Sequence, residues 1–167
     1  MKTELSKGIR KDTLLFDIKL GDHKKTFFDR CMELNKKGLV TQGPSNKYAK
    51  YMLYDKNTTS KTNDIVLLFY PTNTNSSIID GMDLKFYYSA WSPWNKKLYN
   101  NRLLTSVKDT LLKWFPGNDF IQVKLKNDEK FNIKIDGNRQ IKVSLDKNTK
   151  DVNVLIEDLK KKYNVED

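Results

Sequence analysis

The hydrophobic and polar positions of this chain switch between the 3–4 spacing of helices and the strict alternation of strands. Residues 13–19 alternate and predict a strand-like lead-in. Gly21 and Asp22 then open a helix, and the Asp22 carboxylate is expected to cap its first turn. Gly38 is expected to end this helix in a left-handed conformation. The apolar residues of the helix share one stripe: Phe27, Phe28, Cys31, Met32 and Leu34.

Further along the chain the period changes to two, which indicates strands. Three segments follow this pattern, at residues 47–54, 64–70 and 83–91. Polar stretches rich in Asn, Ser and Thr connect them, at residues 55–63 and 71–82. The segment 64–70 is apolar on both of its faces, so we expect it to lie in the interior of its sheet.

A second helix is predicted over residues 101–115, where a Pro-Gly pair ends it. Three alternating segments follow and predict an antiparallel meander with turns at 127–128 and 136–138. The apolar members of this meander are Ile121, Val123, Leu125, Phe131, Ile133, Ile135, Ile141, Val143 and Leu145. Asp151 is expected to cap a final helix. The inward positions of that helix would be Val152, Leu155, Ile156, Leu159 and Tyr163.

The order of these elements predicts an α+β protein: a helix followed by a three-stranded antiparallel meander, repeated twice, with a C-terminal helix. Helices placed between hairpin-connected strands argue against a doubly wound parallel sheet. The length of 167 residues suits a single compact domain over residues 1–167. Whether this domain consists of two pseudo-repeated units, over 13–99 and 100–167, stays open.

The composition excludes most cofactor and metal chemistry. One cysteine and one histidine rule out an intramolecular disulfide, a cysteine-based metal cluster and a multi-histidine metal site. The seven glycines form neither a dinucleotide-binding motif nor a P-loop. We therefore expect no cofactor and no metal, and the sequence names no catalytic residue. The acidic residues form no convincing carboxylate pair of the kind that glycosidases use. A cofactor-free hydrolase is therefore the least favoured alternative. Whether the protein is an enzyme stays open, and the sequence favours a protein that is not one.

The chain also lacks the patterns of membrane spans and export signals. No window approaches the roughly 18 apolar residues that a membrane span requires. The N-terminal segment is charged and has no apolar core of a signal peptide, which as written predicts a soluble cytoplasmic protein. A periplasmic or secreted protein whose signal peptide had been removed would show the same N-terminal pattern.

The formal net charge is +10, from 31 basic and 21 acidic residues. The charge is spread evenly and accompanies many asparagines, a combination that an AT-rich genome produces. Binding to a polyanion, either nucleic acid or an acidic surface, is the alternative function, although no nucleic-acid-binding motif supports it. Its candidate site is a lysine-rich face of the second meander. The cations at or near this face are Lys124, Lys126, Lys130, Lys134, Lys142 and Arg139.

The densest feature of the sequence is a group of aromatic residues between the first predicted strand and the second helix. Alternation places tyrosines next to lysines on the polar side of strands 47–54 and 83–91. Such a surface can stack on a base, a sugar ring or an apolar side chain of a partner. In the structural alternative, the second helix or the 92–100 loop covers this face. The candidate ligand- or partner-binding residues are Tyr48, Lys50, Lys85, Tyr87, Trp91 and Trp94.

Three segments together resemble a family of small uncharacterised bacterial proteins: residues 20–46, WSPWNKKL at 91–98 and KIDGNRQIKV at 134–143. The resemblance spans most of the chain, with W-x-P-W-N and D-G-N-R as its signatures, and it implies no catalytic residues. The order of elements is also similar to tandem α+β modules of outer-membrane-assembly lipoproteins and β-lactamase-inhibitor proteins, in topology alone. The topological likeness favours a protein-binding role, and together with the absence of cofactor and catalytic motifs it leads us to expect a soluble, non-catalytic binding or protein-interaction module. Its partner would be an unknown protein or a small ligand, and its oligomeric state is left open.

Overall fold

The computed structural model describes residues 2–54, 64–74, 76–126 and 129–165. The predicted connection at 55–63 and the predicted turn at 127–128 lie outside these residues. The helices are α1 (Lys2–Leu5), α2 (Lys24–Lys36), α3 (Asn100–Trp114) and α4 (Leu159–Lys162). The strands are β1 (Val40–Gln42), β2 (Ala49–Leu53), β3 (Ile65–Thr72), β4 (Gly81–Tyr88), β5 (Ile121–Lys124), β6 (Lys130–Asp136), β7 (Arg139–Leu145) and β8 (Val152–Asp158). None of the helices in the described ranges is long and apolar enough to cross a membrane.

The eight strands form one antiparallel sheet in the order β1-β2-β3-β4-β8-β7-β6-β5. Its two halves meet where β4 pairs with β8, and each half consists of one long helix followed by four strands. A mixed α+β fold with antiparallel pairing is therefore confirmed. The predicted unit of three strands is wrong, since each half contributes four strands to a single large sheet. The apolar strand β3 is an interior strand between β2 and β4, as predicted.

Two strands account for the difference between the predicted and observed sheets. β1 has only three residues, too few for an alternation to stand out in the sequence. β8 replaces most of the predicted C-terminal helix, because Val152, Val154 and Ile156 are buried at every second position and β-branched side chains favour strands. Asp151 thus precedes a strand instead of capping a helix. Only the short α4 remains helical, and Asp158 caps it.

The segment before α2 also differs from its prediction. Residues 15–17 form a 3-10 turn where a strand was expected. His23, not Asp22, occupies the N-cap position of α2, because the Asp22 carboxylate accepts the Lys19 N–H at 2.8 Å. The left-handed Gly38 after α2 is confirmed, with a φ of 71°.

The two long helices lie on the same side of the sheet, which we call the covered face. Phe27 of α2 lies 5.9 Å from Phe69 of β3, measured between ring centroids. Trp114 of α3 lies 6.2 Å from Phe86 of β4. Phe69 and Phe86 point to the same side because Phe69 pairs with Leu84, two residues before Phe86. The strand residues buried on this face include Leu67, Phe69, Met82, Leu84, Phe86, Ile141, Val143, Val152, Val154 and Ile156.

The turn between β6 and β7 attaches the N-terminal segment to the sheet. The Asn138 side chain accepts the Lys11 N–H at 2.6 Å and donates to the Asp12 carboxylate at 2.9 Å. Gly137 has a φ of 57°, and a Cβ atom there would lie 2.2 Å from the Ile9 carbonyl oxygen. This position therefore requires glycine both for its backbone conformation and for the close approach of the N-terminal chain. The D-G-N-R segment is a structural junction.

Candidate binding surface

The face opposite α2 and α3 has no long helix on it among the described residues, and we call it the open face. Strand register arranges its side chains in rows that cross the sheet. The central row contains Thr41, Lys50, Leu68, Lys85, Asn153, Ser144, Phe131 and Val123. The next row contains Tyr70, Asp83, Leu155, Lys142, Ile133 and Ile121. Apart from the buried Leu68, these side chains are half-buried or exposed. The second helix therefore does not cover the face, and coverage by the 92–100 loop, the other form of the structural alternative, stays a prediction.

Tyr48, Lys50, Lys85 and Tyr87 lie together on the β2–β4 part of the open face. The Tyr48 hydroxyl donates to Asp83 Oδ2 at 2.9 Å, which links the start of β2 to β4 across β3. Burial first, and then this carboxylate, raises the pKa of Tyr48 to about 12. Lys85 Nζ lies 5.8 Å from the centre of the Tyr48 ring. Four predicted residues thus form one continuous surface.

Two cations on this surface form no ion pair at contact distance within the described ranges, although Lys85 interacts electrostatically with the Asp146 carboxylate. Lys50 and Lys85 occupy the same row, on either side of Leu68. Neither ammonium group forms an ion pair with any side chain of residues 2–54, 64–74, 76–126 or 129–165. The Lys50 charge is therefore available to a carboxylate that approaches the face from outside, and the Lys85 charge is partly balanced by Asp146.

Trp91 joins this group through a cation–π contact that it shares with Tyr87. Lys150, in the turn before β8, has its Nζ 4.0 Å from the Tyr87 ring centre and 5.9 Å from that of Trp91. Burial and then Asp151 raise the pKa of Tyr87. The indole N–H of Trp91 is buried and has no hydrogen-bond partner in the part of the chain that the structure describes.

Trp94 lies apart from the other predicted residues. It belongs to the connection between β4 and α3 and is 85% exposed. Its side chain makes no hydrogen bond, ionic or ring contact with the described residues. The backbone beside it is fixed, because the Tyr99 hydroxyl donates to the Pro93 carbonyl. The structure therefore unites five of the six predicted residues and leaves Trp94 as a separate exposed side chain.

The β5–β6 end of the open face is an apolar surface that sequence reasoning missed. Its members, which we call the β5–β6 patch, are Ile121, Val123, Phe131, Ile133 and Ile135. Ile121 is 63% exposed, and the other four are half-buried. Large apolar side chains displayed together mark interaction sites on soluble proteins. Their alternation was visible in the sequence, but it predicted that they face the core.

The predicted lysine-rich face of the second meander does not form, because β6 turns its lysine side toward the interior. Lys134 and Arg139 are 1% and 3% exposed. Asp136 neutralises both, at 2.9 Å from Lys134 and 3.5 Å from Arg139. Lys134 also donates to the Asn118 carbonyl, and the Arg139 guanidinium lies 4.5 Å from the Phe115 ring centre. Burial lowers the pKa of Arg139, and Asp136 opposes that shift.

The remaining predicted cations are divided between the two faces. Lys142 lies on the open face, where it is paired in register with Ile133. Lys124 of β5 and Lys130 of β6 are opposite each other in the strand register. They lie on the side of the covered face, at the outer edge of the sheet. Lys126 is exposed in the turn after β5. The expectation of one shared anion-binding face is corrected, because strand geometry separates these lysines and buries the two cations described above.

The single cysteine and the single histidine do not form a nucleophile–base pair. Burial raises the pKa of the Cys31 thiol to about 11, so it stays protonated at neutral pH. His23 Nε2 lies 3.1 Å from the Ser77 hydroxyl at the surface, next to the start of α2. Within the described ranges, no three His, Cys, Asp or Glu side chains are grouped so that they could hold a metal ion.

No protein-family model, curated protein or solved structure matches this chain. The family resemblance and the topological likeness drawn from the sequence therefore stay predictions.

Proposed function

We propose that this protein is a non-catalytic protein-interaction module that binds an acidic protein partner through its open face. The observation that supports this most is the composition of the face, with Lys50 and Lys85 near one end and the β5–β6 patch at the other. Tyr48 and Tyr87 flank the two lysines, and tyrosine is enriched in the energetic centres of protein interfaces. The net charge of +10 favours the approach of an acidic partner.

The size of the open face agrees with a protein partner. Strands lie about 4.8 Å apart and residues rise about 3.3 Å along a strand, so eight strands of these lengths present roughly 780 Å². A stable protein–protein interface of standard size buries about 800 Å² on each partner. The open face can therefore supply most of such an interface without a contribution from the helices.

The spacing of the two ends also favours a protein over a small ligand. Lys50 on β2 and Phe131 on β6 belong to the same row but are five strand intervals apart, or roughly 24 Å. A metabolite-sized molecule cannot touch both. A folded partner with carboxylates opposite Lys50 and Lys85 and an apolar area opposite Phe131 would contact both ends in one orientation.

Photo-crosslinking in cells tests which face meets the partner. A photoreactive amino acid replaces Ser144, near the middle of the open face, or Thr105, which is exposed on α3. We expect one protein, rich in acidic residues, to be crosslinked from position 144 and not from position 105. Equal crosslinking from both positions would contradict the proposal. Crosslinking of nucleic acid from position 144 would contradict it in favour of the polyanion alternative.

A further inference from the structure

A groove lies between α2 and the β1–β2 hairpin, at the outer edge of the first half of the sheet. Its volume is about 490 Å³. The apolar side chains that line it are Phe27, Phe28, Cys31, Met32, Val40 and Ala49. The groove shares two lining residues, Thr41 and Tyr48, with the open face, so it is a second site at the border of that face.

Two of the apolar side chains of the groove are displayed to solvent. Phe28 is 49% exposed and Met32 is 57% exposed, although both carry large apolar groups. They are four residues apart on α2 and therefore lie one above the other on the same side of the helix. Apolar anchors at this spacing can hold apolar side chains of an added segment.

Positive charge gathers at the Tyr48 end of the groove. Lys24 Nζ lies 5.1 Å and Lys47 Nζ lies 5.4 Å from the centre of the Tyr70 ring. Lys47 is also 5.2 Å from the centre of the Tyr48 ring. In the described ranges neither lysine forms an ion pair. Lys47 lines the groove, and Lys24 shares the Tyr70 ring with it, so both charges lie at this end of the groove. This complements an acidic ligand.

The backbone of β1 is open beside the groove at Gln42, whereas the outward carbonyl of Val40 accepts from the Asn35 side chain at 2.8 Å. β1 is the outermost strand and pairs only with β2. The Gly43 N–H donates to the Tyr48 carbonyl at 2.7 Å, which makes this a hydrogen-bonded pair of the hairpin. Because hydrogen-bonded and non-bonded pairs alternate in antiparallel strands, the backbone N–H and C=O of Gln42 point away from β2. An extended peptide can bind to such an edge by strand addition.

We propose that this groove binds a linear acidic segment of another protein, extended beside β1, with apolar side chains against Phe28 and Met32 and carboxylates at Lys24 and Lys47. This site goes beyond the open-face function. A peptide in the groove and a folded partner on the open face would meet at Thr41 and Tyr48, and the rest of the groove lies outside the open face.

A phage-displayed library of linear peptides of about twelve residues tests the proposal against the full-length protein. We expect enriched sequences with two apolar residues in alternation and Asp or Glu on one side. A synthetic consensus peptide should bind about tenfold more weakly to Phe28→Asp or Met32→Asp, because each places a charge against the apolar anchor. The melting temperature of each variant shows whether it remains folded. Because both variants are tested, a folding defect in one of them does not decide the result.

Charge reversal at the groove entrance has a matched control. Lys24→Glu/Lys47→Glu should weaken consensus-peptide binding by about fivefold or more and reduce its salt dependence. Lys96→Glu/Lys97→Glu makes the same change of charge before α3 and should leave the affinity unchanged. Lys50→Glu/Lys85→Glu should also leave it unchanged, which separates this site from the open face. Enrichment of basic peptides, or equal losses in all three double variants, would overturn the proposal.

Cys31 gives a direct probe of occupancy because it is the only cysteine of the chain and lines the groove. Saturating consensus peptide should slow alkylation of its thiol by N-ethylmaleimide by about fivefold or more, in proportion to the bound fraction. An alkylation rate that the bound peptide does not change would overturn the proposed location.

Discussion

One strand of the second half, β6, buries a different kind of side chain on the covered face from the strands of the first half. In the first half, β3 and β4 place Phe69 and Phe86 under the helices. In the second half, β6 buries Lys134 and Asp136 on that face and displays Ile133 on the other. Alternation therefore determines which residues share a side, but it does not determine which side becomes interior. A charged group can occupy the interior side when every charge finds a partner.

The largest effect is expected from breaking the buried ion network of the second half. Asp136→Ala leaves Lys134 and Arg139 buried without their carboxylate and should lower the free energy of unfolding by about 3–5 kcal/mol. Urea unfolding followed by circular dichroism measures this loss.

Asp83→Ala on the open face of the first half is the matched control. It removes a carboxylate whose contact is the Tyr48 hydroxyl, and should cost about 1 kcal/mol. A loss at Asp136 no larger than the loss at Asp83 would show that the ion network does not stabilise the interior.

Isoleucine truncation in neighbouring strands tests the inverted pattern itself. Ile141→Ala removes a side chain that is fully buried on the covered face and should cost about 2–5 kcal/mol. Ile133→Ala removes a half-buried side chain of the β5–β6 patch and should cost about 1 kcal/mol. Equal costs would mean that both faces of this half are interior, which contradicts the assignment of the open face.

The sequence was sufficient to predict the helices and strands whose hydrophobic residues keep one period over many positions. α2, α3, β6 and β7 begin and end close to their predicted positions for this reason. β8 was mistaken for a helix because Val152, Leu155, Ile156 and Leu159 also fit a helical spacing. Only its pairing with β4 on one side and β7 on the other decides the strand.

The candidate site was also predictable only where it depends on alternation within single strands. Lys50, Lys85 and Tyr87 were correctly placed on one side, because strand alternation is local and β2 and β4 flank the same strand. The β5–β6 patch was not predictable, because the inward turn of Lys134 depends on residues distant in sequence. One of these is Asn118, whose carbonyl accepts from the Lys134 ammonium group.

A smaller, pH-dependent effect is expected from Tyr48. Its pKa is raised to about 12, so the folded state keeps a proton that the unfolded chain loses above its ordinary pKa of about 10. The stabilising contribution is present below about pH 10 and is lost as the pH rises toward 12. In urea titrations, the free energy of unfolding should therefore fall less between about pH 9 and 11 for Tyr48→Phe than for the parent protein. Identical slopes would contradict the environment described for Tyr48.

The smallest effect is expected from the cation–π contact on the open face. Lys150→Ala removes the ammonium group above Tyr87 and should lower the free energy of unfolding by about 0.5–1 kcal/mol. It should also change the fluorescence of Trp91, whose ring centre lies 5.9 Å from the same ammonium group. Trp91→Phe provides the control that assigns the fluorescence change. An unchanged emission spectrum would show that Lys150 does not contact this site.

Calorimetric titration with the purified crosslinked partner tests whether the open face binds an acidic protein. Lys50→Glu/Lys85→Glu reverses two charges on the open face, whereas Lys36→Glu/Lys37→Glu makes the same change at the C-terminal end of α2. We predict that the first pair weakens binding by about tenfold or more and that the second changes it by less than about twofold. Equal losses, or a loss only in the second pair, would contradict binding through the open face.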